Sequence, residues 1–114
     1  VKPSIETRED VIVYKILVKH GNCYKSWYRI YTWKHGMNYS NRKSTLIHEQ
    51  ISQDGKLRIN DGFHVYCNRK DAVIDLDKNS SSERIIRFEA DLKDLVAVGT
   101  SGHDNAVFTK LRML

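Results

Sequence analysis

The chain is short of four things, and each shortage excludes something. Among its 114 residues there are two cysteines, Cys23 and Cys67, and one proline, Pro3. Two cysteines are too few to staple a small fold, so both are expected as reduced thiols. Long apolar runs are missing. Ile12, Ile16 and Val18 are interrupted by Tyr14, Lys15 and Lys19, so nothing reads as a membrane span. The opening residues Val1 to Asp10 are polar and charged and lack the apolar centre of a cleavable signal, which points to the cytoplasm. No glycine-rich phosphate fingerprint is present; Gly99-Thr100-Ser101-Gly102 is short and reads as a turn. The fourth shortage is acid. Between Val11 and His48 there is no Asp or Glu.

That acid-free stretch carries Lys15, Lys19, Lys25, Arg29, Lys34, Arg42 and Lys43, within a chain of net charge +5. The acids gather at Glu6, Glu9 and Asp10 and in the second half. A field of one sign over a third of the chain favours a polyanionic partner, either a nucleic acid or an acidic protein surface. The length fits a single domain, 1–114, with residues 1–10 as an irregular lead-in. A hydrophobic share of 40% beside 29% charged residues is ordinary for a globular chain and argues against disorder.

Residues 11–19 are β-branched and aromatic and run into His20-Gly21-Asn22, so they read as a strand that ends in a turn. Residues 24–33 read as the return strand, with Trp27, Arg29, Tyr31 and Trp33 on one face. Residues 34–42 read as a loop, on the strength of Gly36, Asn38, Ser40 and Asn41. Residues 44–51 suggest a further strand or short helix. Asp54-Gly55 and Asn60-Asp61-Gly62 are turn signals flanking short strands at 57–59 and 63–66. Asn68 is placed to cap a helix over 69–77, with Ala72, Val73 and Leu76 at helical spacing. Residues 84–92 alternate, with Ile86, Phe88 and Ala90 inward. Residues 95–98 form a short buried strand, and residues 106–114 read as one closing strand. The sum is an α+β, β-rich fold: a mostly antiparallel sheet or partly open barrel of about seven strands with one short helix packed on it.

Two arrangements of side chains could carry chemistry. His20-Gly21-Asn22-Cys23 and His64-Val65-Tyr66-Cys67 repeat one His-x-x-Cys spacing, the composition of a small structural zinc site. Residues three apart on a strand point to opposite faces, however, so no metal is expected there. Cations interleaved with Tyr14, Tyr24, Trp27, Tyr28, Tyr31, Trp33 and Tyr39 offer charge for phosphates and rings for bases, as single-strand binding requires. Lys25, Arg29, Lys34, Arg42, Lys43 and Tyr28 are the residues expected to meet such a partner. No motif pairs a nucleophile with a base, so no catalytic residue and no cofactor is assigned.

The segment Gly62-Phe63-His64-Val65-Tyr66-Cys67-Asn68-Arg69-Lys70-Asp71-Ala72 resembles the core of a poorly characterised domain family found in phages and prophages. The order of elements is also similar, from Val13-Tyr14-Lys15 early in the chain to Val96-Ala97-Val98-Gly99 late. The resemblance implies a mobile-element accessory protein acting in the host cytoplasm. A weaker likeness is to the ADP-ribosyltransferase-like fold, in which a Gly-Phe-aromatic strand leading into a helix lines a nicotinamide pocket. On that likeness Tyr14, Gly62, Phe63 and His64 would line the pocket. The early His or Arg position would fall on Tyr14 or Lys15, and only Glu83 or Glu89 could stand for the catalytic acid. The leading expectation is a non-enzymatic binding protein with a basic aromatic face. An NAD-pocket protein, active or degenerate, and a small zinc domain are the alternatives.

Overall fold

Strict alternation over residues 11–17 sets the architecture. Val11, Val13 and Leu17 are fully buried and share one side of a long strand, β1 (Asp10–His20). The computed structural model describes residues 10–26, 31–42, 44–45, 61–99 and 105–114. After β1 come β2 (Cys23–Lys25), β3 (Thr32–Trp33), β4 (Gly36–Tyr39), β5 (Phe63–Tyr66) and α1 (Arg69–Asp75). Then follow β6 (Glu83–Asp91), a 3-10 turn at Leu92–Asp94, β7 (Leu95–Gly99), β8 (Asn105–Phe108) and β9 (Lys110–Met113). The nine described strands form one sheet, and every pairing is antiparallel. The β-rich α+β class expected from the sequence is the one observed.

The sheet is curled. Its strand order is β4-β9-β6-β1-β5-β8-β7. Laid flat, β8 and β9 would stand roughly 19 Å apart, four strand spacings. Only Thr109 separates them in the chain, and three consecutive Cα atoms span about 7 Å. The sheet therefore bends round until one kinked segment serves both ends, pairing with β5 before Thr109 and with β6 after it. Residues 106–114 are thus two strands, not one. Thr109 is buried at the corner, where its backbone bonds leave the ladder. Its N–H donates to the Asp94 carbonyl and its carbonyl accepts from the Ser40 N–H, both at 2.9 Å.

Side chains from the inner wall fill the curl. Val11, Val13, Leu17, Trp33, Phe63, Val65, Cys67, Phe88, Ala90, Ala106, Phe108, Leu111 and Met113 make one core. At roughly 1.5–3 kcal/mol for each large side chain removed from water, this core is the main source of stability. The helix lies on the outer wall against β1, β5 and β6, with Ala72 fully buried beneath it. Asn68 caps it as the sequence suggested: its Oδ1 accepts from the Asp71 N–H at 2.9 Å. The helix ends at Asp75, two residues earlier than expected.

Two further expectations are corrected. Residues 24–33 do not form one straight strand. Tyr24 pairs with Trp33 and Lys25 with Thr32, so the ends of that segment run antiparallel to each other. This reversal lets Tyr24, Tyr31 and Trp33 reach the same core, and the Trp33 indole N–H finds an acceptor in Ser26 Oγ at 2.7 Å. Residues 34–42 are not all loop either, because β4 pairs along β9 from Gly36↔Met113 to Tyr39↔Lys110. The turn-forming Asn38 is fully buried inside it, and its amide is saturated. Oδ1 accepts from the Tyr31 hydroxyl (3.1 Å) and the Lys34 N–H (3.2 Å), while Nδ2 donates to the carbonyls of Lys34 (2.8 Å) and Gly36 (3.0 Å). The expectations for residues 44–51 and 54–60 lie outside the described residues, save for Ser44 and Thr45.

Candidate functional site

One edge of β1 is divided between two partners. β6 pairs along the other edge from Asp10 to Val18. On the divided edge β5 bonds at Tyr14↔Tyr66 alone, and β2 takes over from Val18 to His20. Residues 15–17 have no strand beside them there among the described residues. Rings fill this split. Trp33 from the β2–β3 branch and Phe63 from β5 meet across it at 4.5 Å between centroids. Tyr31 stands edge-on to Trp33 at 4.8 Å and to Phe63 at 5.4 Å, and Phe88 closes on Trp33 at 5.0 Å. Edge-on contacts of this kind add about 0.5–1.5 kcal/mol per pair beyond burial.

Lys15 enters the same split. Alternation puts it on the inward side with Val11, Val13 and Leu17, yet its side chain is only partly covered. Its Nζ donates to the His64 carbonyl at 2.6 Å and sits 5.6 Å from the centre of the Trp33 ring. No carboxylate among the described residues pairs with it. Burial without a counter-charge lowers its pKa from 10.5 to about 8. Burial likewise raises the Tyr31 phenol above its usual value, against a smaller opposing pull from a backbone bond to Tyr39. An amine held over the Trp33 ring with no carboxylate partner among the described residues is expensive to keep, which makes it the leading chemical feature of the described residues. In the sequence Lys15 is one of seven cations in the acid-free stretch, with nothing in its immediate neighbours to mark this placement. The period-two pattern of residues 11, 13, 15 and 17 was the available signal.

The expected partner-binding residues divide. Lys25 and Lys34 are exposed. Continuing the β2–β3 register places Lys34 opposite Cys23, so Cys23, Lys25, Thr32 and Lys34 share the outward face, opposite to Tyr24 and Trp33. At the end of β1, exposed His20 lies opposite Cys23 on this face, whereas exposed Lys19 lies opposite Tyr24 on the other. Arg42 is half-buried near Gly62, and its Nε donates to the Ser44 carbonyl at 3.0 Å. Tyr28, Arg29 and Lys43 lie outside the described residues. Three cations of the second half have acidic partners, Arg112 with Glu89, Lys110 with Asp94 and Lys93 with Asp91, while Arg69, Lys70, Lys78, Arg84 and Arg87 are exposed. A groove of about 140 Å³ lined by Met37, Glu89, Asp91, Asp94, Lys110 and Arg112 lies among these pairs.

The four residues expected to line a nicotinamide pocket are not gathered round one space. Phe63 is in the core, whereas His64 is exposed on the other face of β5. Tyr14 precedes Lys15 on β1 and points outward. It lies opposite Tyr66, whose hydroxyl donates to Asp75 on the helix at 2.7 Å. Gly62 occupies the turn before β5 with φ +113°. The His-x-x-Cys pairs are kept apart as well. His20 and Cys23 face each other, exposed, across the first hairpin, while Cys67 is in the core and His64 outside it. Among the described residues no three His, Cys, Asp or Glu side chains gather as a metal site, and no helix is long and apolar enough to cross a membrane. No family model matches the chain, nor does any curated protein or any solved structure.

Proposed function

We propose that this domain is a non-enzymatic binding module, of the phage or mobile-element accessory type, that engages nucleic acid or an acidic nucleic-acid-handling host protein. It works in the host cytoplasm and uses the outward face of the β2–β3 hairpin. The observation that supports this reading is the common face of Lys25 and Lys34, with Thr32 between them and no carboxylate partner for either side chain among the described residues. Diagonal neighbours on paired strands stand roughly 7–8 Å apart, so both ammonium groups can reach one phosphate chain. His20, opposite Cys23, extends the same face, whereas Lys19 lies opposite Tyr24 on the other side. In the second half, by contrast, Lys93, Lys110 and Arg112 already have acidic neighbours and contribute little outward field.

Fluorescence anisotropy with a labelled single-stranded oligonucleotide tests the reading. Binding should be measurable at low salt and weaken steeply as salt rises, because each neutralised phosphate releases counterions. Changing Lys25 and Lys34 together to Ala should reduce the log–log salt slope by about 1.4, two contacts at about 0.7 each. No binding at low salt, or an unchanged slope, rules out the nucleic-acid form. Retention of the chain on an acidic protein surface would then decide for the protein form.

A further inference from the structure

We propose that Lys19 and Arg84 form a second phosphate-binding site, on the face opposite to Lys25 and Lys34, so that a single-stranded nucleic acid engages the β1–β2 hairpin from both sides. The site rests on the nucleic-acid reading of this hairpin and adds residues to it. β6 runs beside β1 with Leu17↔Arg84 and Val18↔Glu83 in register, and the Lys19 N–H donates to the Ser82 carbonyl at 2.8 Å. Lys19 and Arg84 are therefore diagonal neighbours on the side of the sheet that carries Leu17. Leu17 is fully buried, whereas Lys19 and Arg84 are exposed, so the wall leaves the core at this point. Diagonal positions stand roughly 7–8 Å apart, within reach of two long side chains that close on one phosphate.

The charge on this wall has one sign. Its positions are Val11, Val13, Lys15, Leu17 and Lys19 on β1 and Arg84, Ile86, Phe88 and Ala90 on β6, with no acid among them. Lys15 is bonded to the His64 carbonyl and takes no part. Glu83 is buried on the opposite side with Val18. Neither Lys19 nor Arg84 has a carboxylate partner among the described residues. Arg84 is moreover fixed in place. Its Nη1 donates to the carbonyls of Ser81 at 2.7 Å and Glu83 at 2.9 Å. These bonds leave the Nε–Nη2 edge, a pair of parallel donors that matches the oxygens of a phosphate. A guanidinium held by main chain has already lost rotamer freedom that binding would otherwise cost.

The hairpin tip lies between the two sites. Pairing with β6 ends near Val18, and Lys19, His20, Gly21, Asn22 and Cys23 are exposed in succession. Lys25 and, by register, Lys34 stand on one face, Lys19 and Arg84 on the other. A broad acidic protein surface meets one face of such a hairpin. A single strand is flexible and carries a charge at every nucleotide, so it can turn over the tip and satisfy both.

Fluorescence anisotropy with a labelled oligothymidylate across a salt series tests the second site. Lys19→Ala with Arg84→Ala should lower the log–log slope by about 1.4, and these two with Lys25→Ala and Lys34→Ala by about 2.8, at about 0.7 per phosphate contact. Arg84 also ties the turn at Ser81, so Lys19→Glu is the second variant. The Lys19 side chain makes no bond among the described residues, and this charge reversal should weaken binding more than Lys19→Ala does, with an unchanged melting curve. Lys93→Ala, beyond the far end of β6, should leave the slope as it is. An unchanged slope in the Lys19/Arg84 variant, with the Lys25/Lys34 loss intact, overturns the second site and spares the first. No salt-dependent binding by the parent chain overturns both. An equal loss from Lys93→Ala would reduce binding to net charge, and poly-glutamate that displaces the strand as well as an oligonucleotide of equal charge would make the partner an acidic protein. Either result overturns the proposal.

Discussion

Lys15 Nζ bonds the main-chain carbonyl of His64 at 2.6 Å, one step beyond the Tyr14↔Tyr66 pair where the β1–β5 ladder stops. A side chain thus continues a connection the backbone has given up. The cost is a cation held, among the described residues, without a counter-charge on the wall that carries Val11, Val13 and Leu17.

That cost makes stability depend on pH with a definite sign. The folded chain sheds the Lys15 proton near pH 8, whereas the unfolded chain keeps it to about 10.5. Between these values the unfolded state binds more protons, so stability rises with pH. From pH 7 to 9.5 the rise is at most about 2 kcal/mol, and solvent access to the side chain reduces it. Tyr31, with its pKa raised by burial, stays protonated over this window. Lys15→Met removes the charge at similar volume. Urea titrations should find it more stable than the parent at pH 7, with the gap narrowing toward pH 9.5. Parallel pH curves for the two proteins would show that the buried charge carries no such cost.

Asn38 gives a second outcome. Its amide makes four bonds while fully buried, and its loss takes the acceptor from the part-buried Lys34 N–H and Tyr31 hydroxyl. Asn38→Ala should lower unfolding free energy by about 3 kcal/mol, since each orphaned buried group costs about 1–3 kcal/mol. Asn38→Asp keeps the acceptors but buries a charge and loses both donated bonds, so it should fare no better. A denaturation midpoint within error of the parent would mean that water replaces the amide.

These two residues also show what the sequence could disclose. The class of the fold, β1, β5, β6, β7 and the Asn68 cap were legible because alternation and capping are local patterns. Asn38 was read as loop because asparagine beside glycine and serine ordinarily marks a turn, and nothing local says that its amide will be saturated inside. The corner at Thr109 carries no glycine or proline, and its bonds run to Ser40 and Asp94, far away in sequence. Of the candidate site, the alternation implied an inward Lys15, but its acceptor is a backbone carbonyl 49 residues on, which no side-chain pattern encodes. The shared face of Lys25 and Lys34 follows from the β2–β3 register rather than from a straight strand over residues 24–33.

Helix capping gives a third, smaller outcome. Asn68→Ala removes the acceptor for the Asp71 N–H and should cost about 0.5–2 kcal/mol in thermal or urea unfolding. Asn68→Ser or Asn68→Asp should recover most of it, since each offers an oxygen in the same place. Equal losses for all three variants would assign the role of Asn68 to packing rather than to the cap.

The last outcome separates backbone strain from crowding at two glycines. Gly21 and Gly62 both have positive φ, +58° and +113°. A Cβ on Gly21 meets nothing within 4 Å, whereas a Cβ on Gly62 would lie 2.5 Å from Val107 Cγ1 and 3.4 Å from the Phe108 carbonyl oxygen. Gly21→Ala should therefore cost only the left-handed backbone term, about 1–2 kcal/mol. Gly62→Ala adds a steric clash at the start of β5, where Phe63 enters the aromatic cluster, and should cost more, about 3 kcal/mol or above. A double-mutant cycle isolates the clash. Val107 is buried, so Val107→Ala is destabilising alone, but in the Gly62→Ala background it also removes the atom in the way. The double variant should then lose less than the sum of the single losses, by on the order of 1 kcal/mol. Simple additivity would place the whole cost of Gly62→Ala in its backbone angle, and equal losses at Gly21 and Gly62 would deny the crowding altogether.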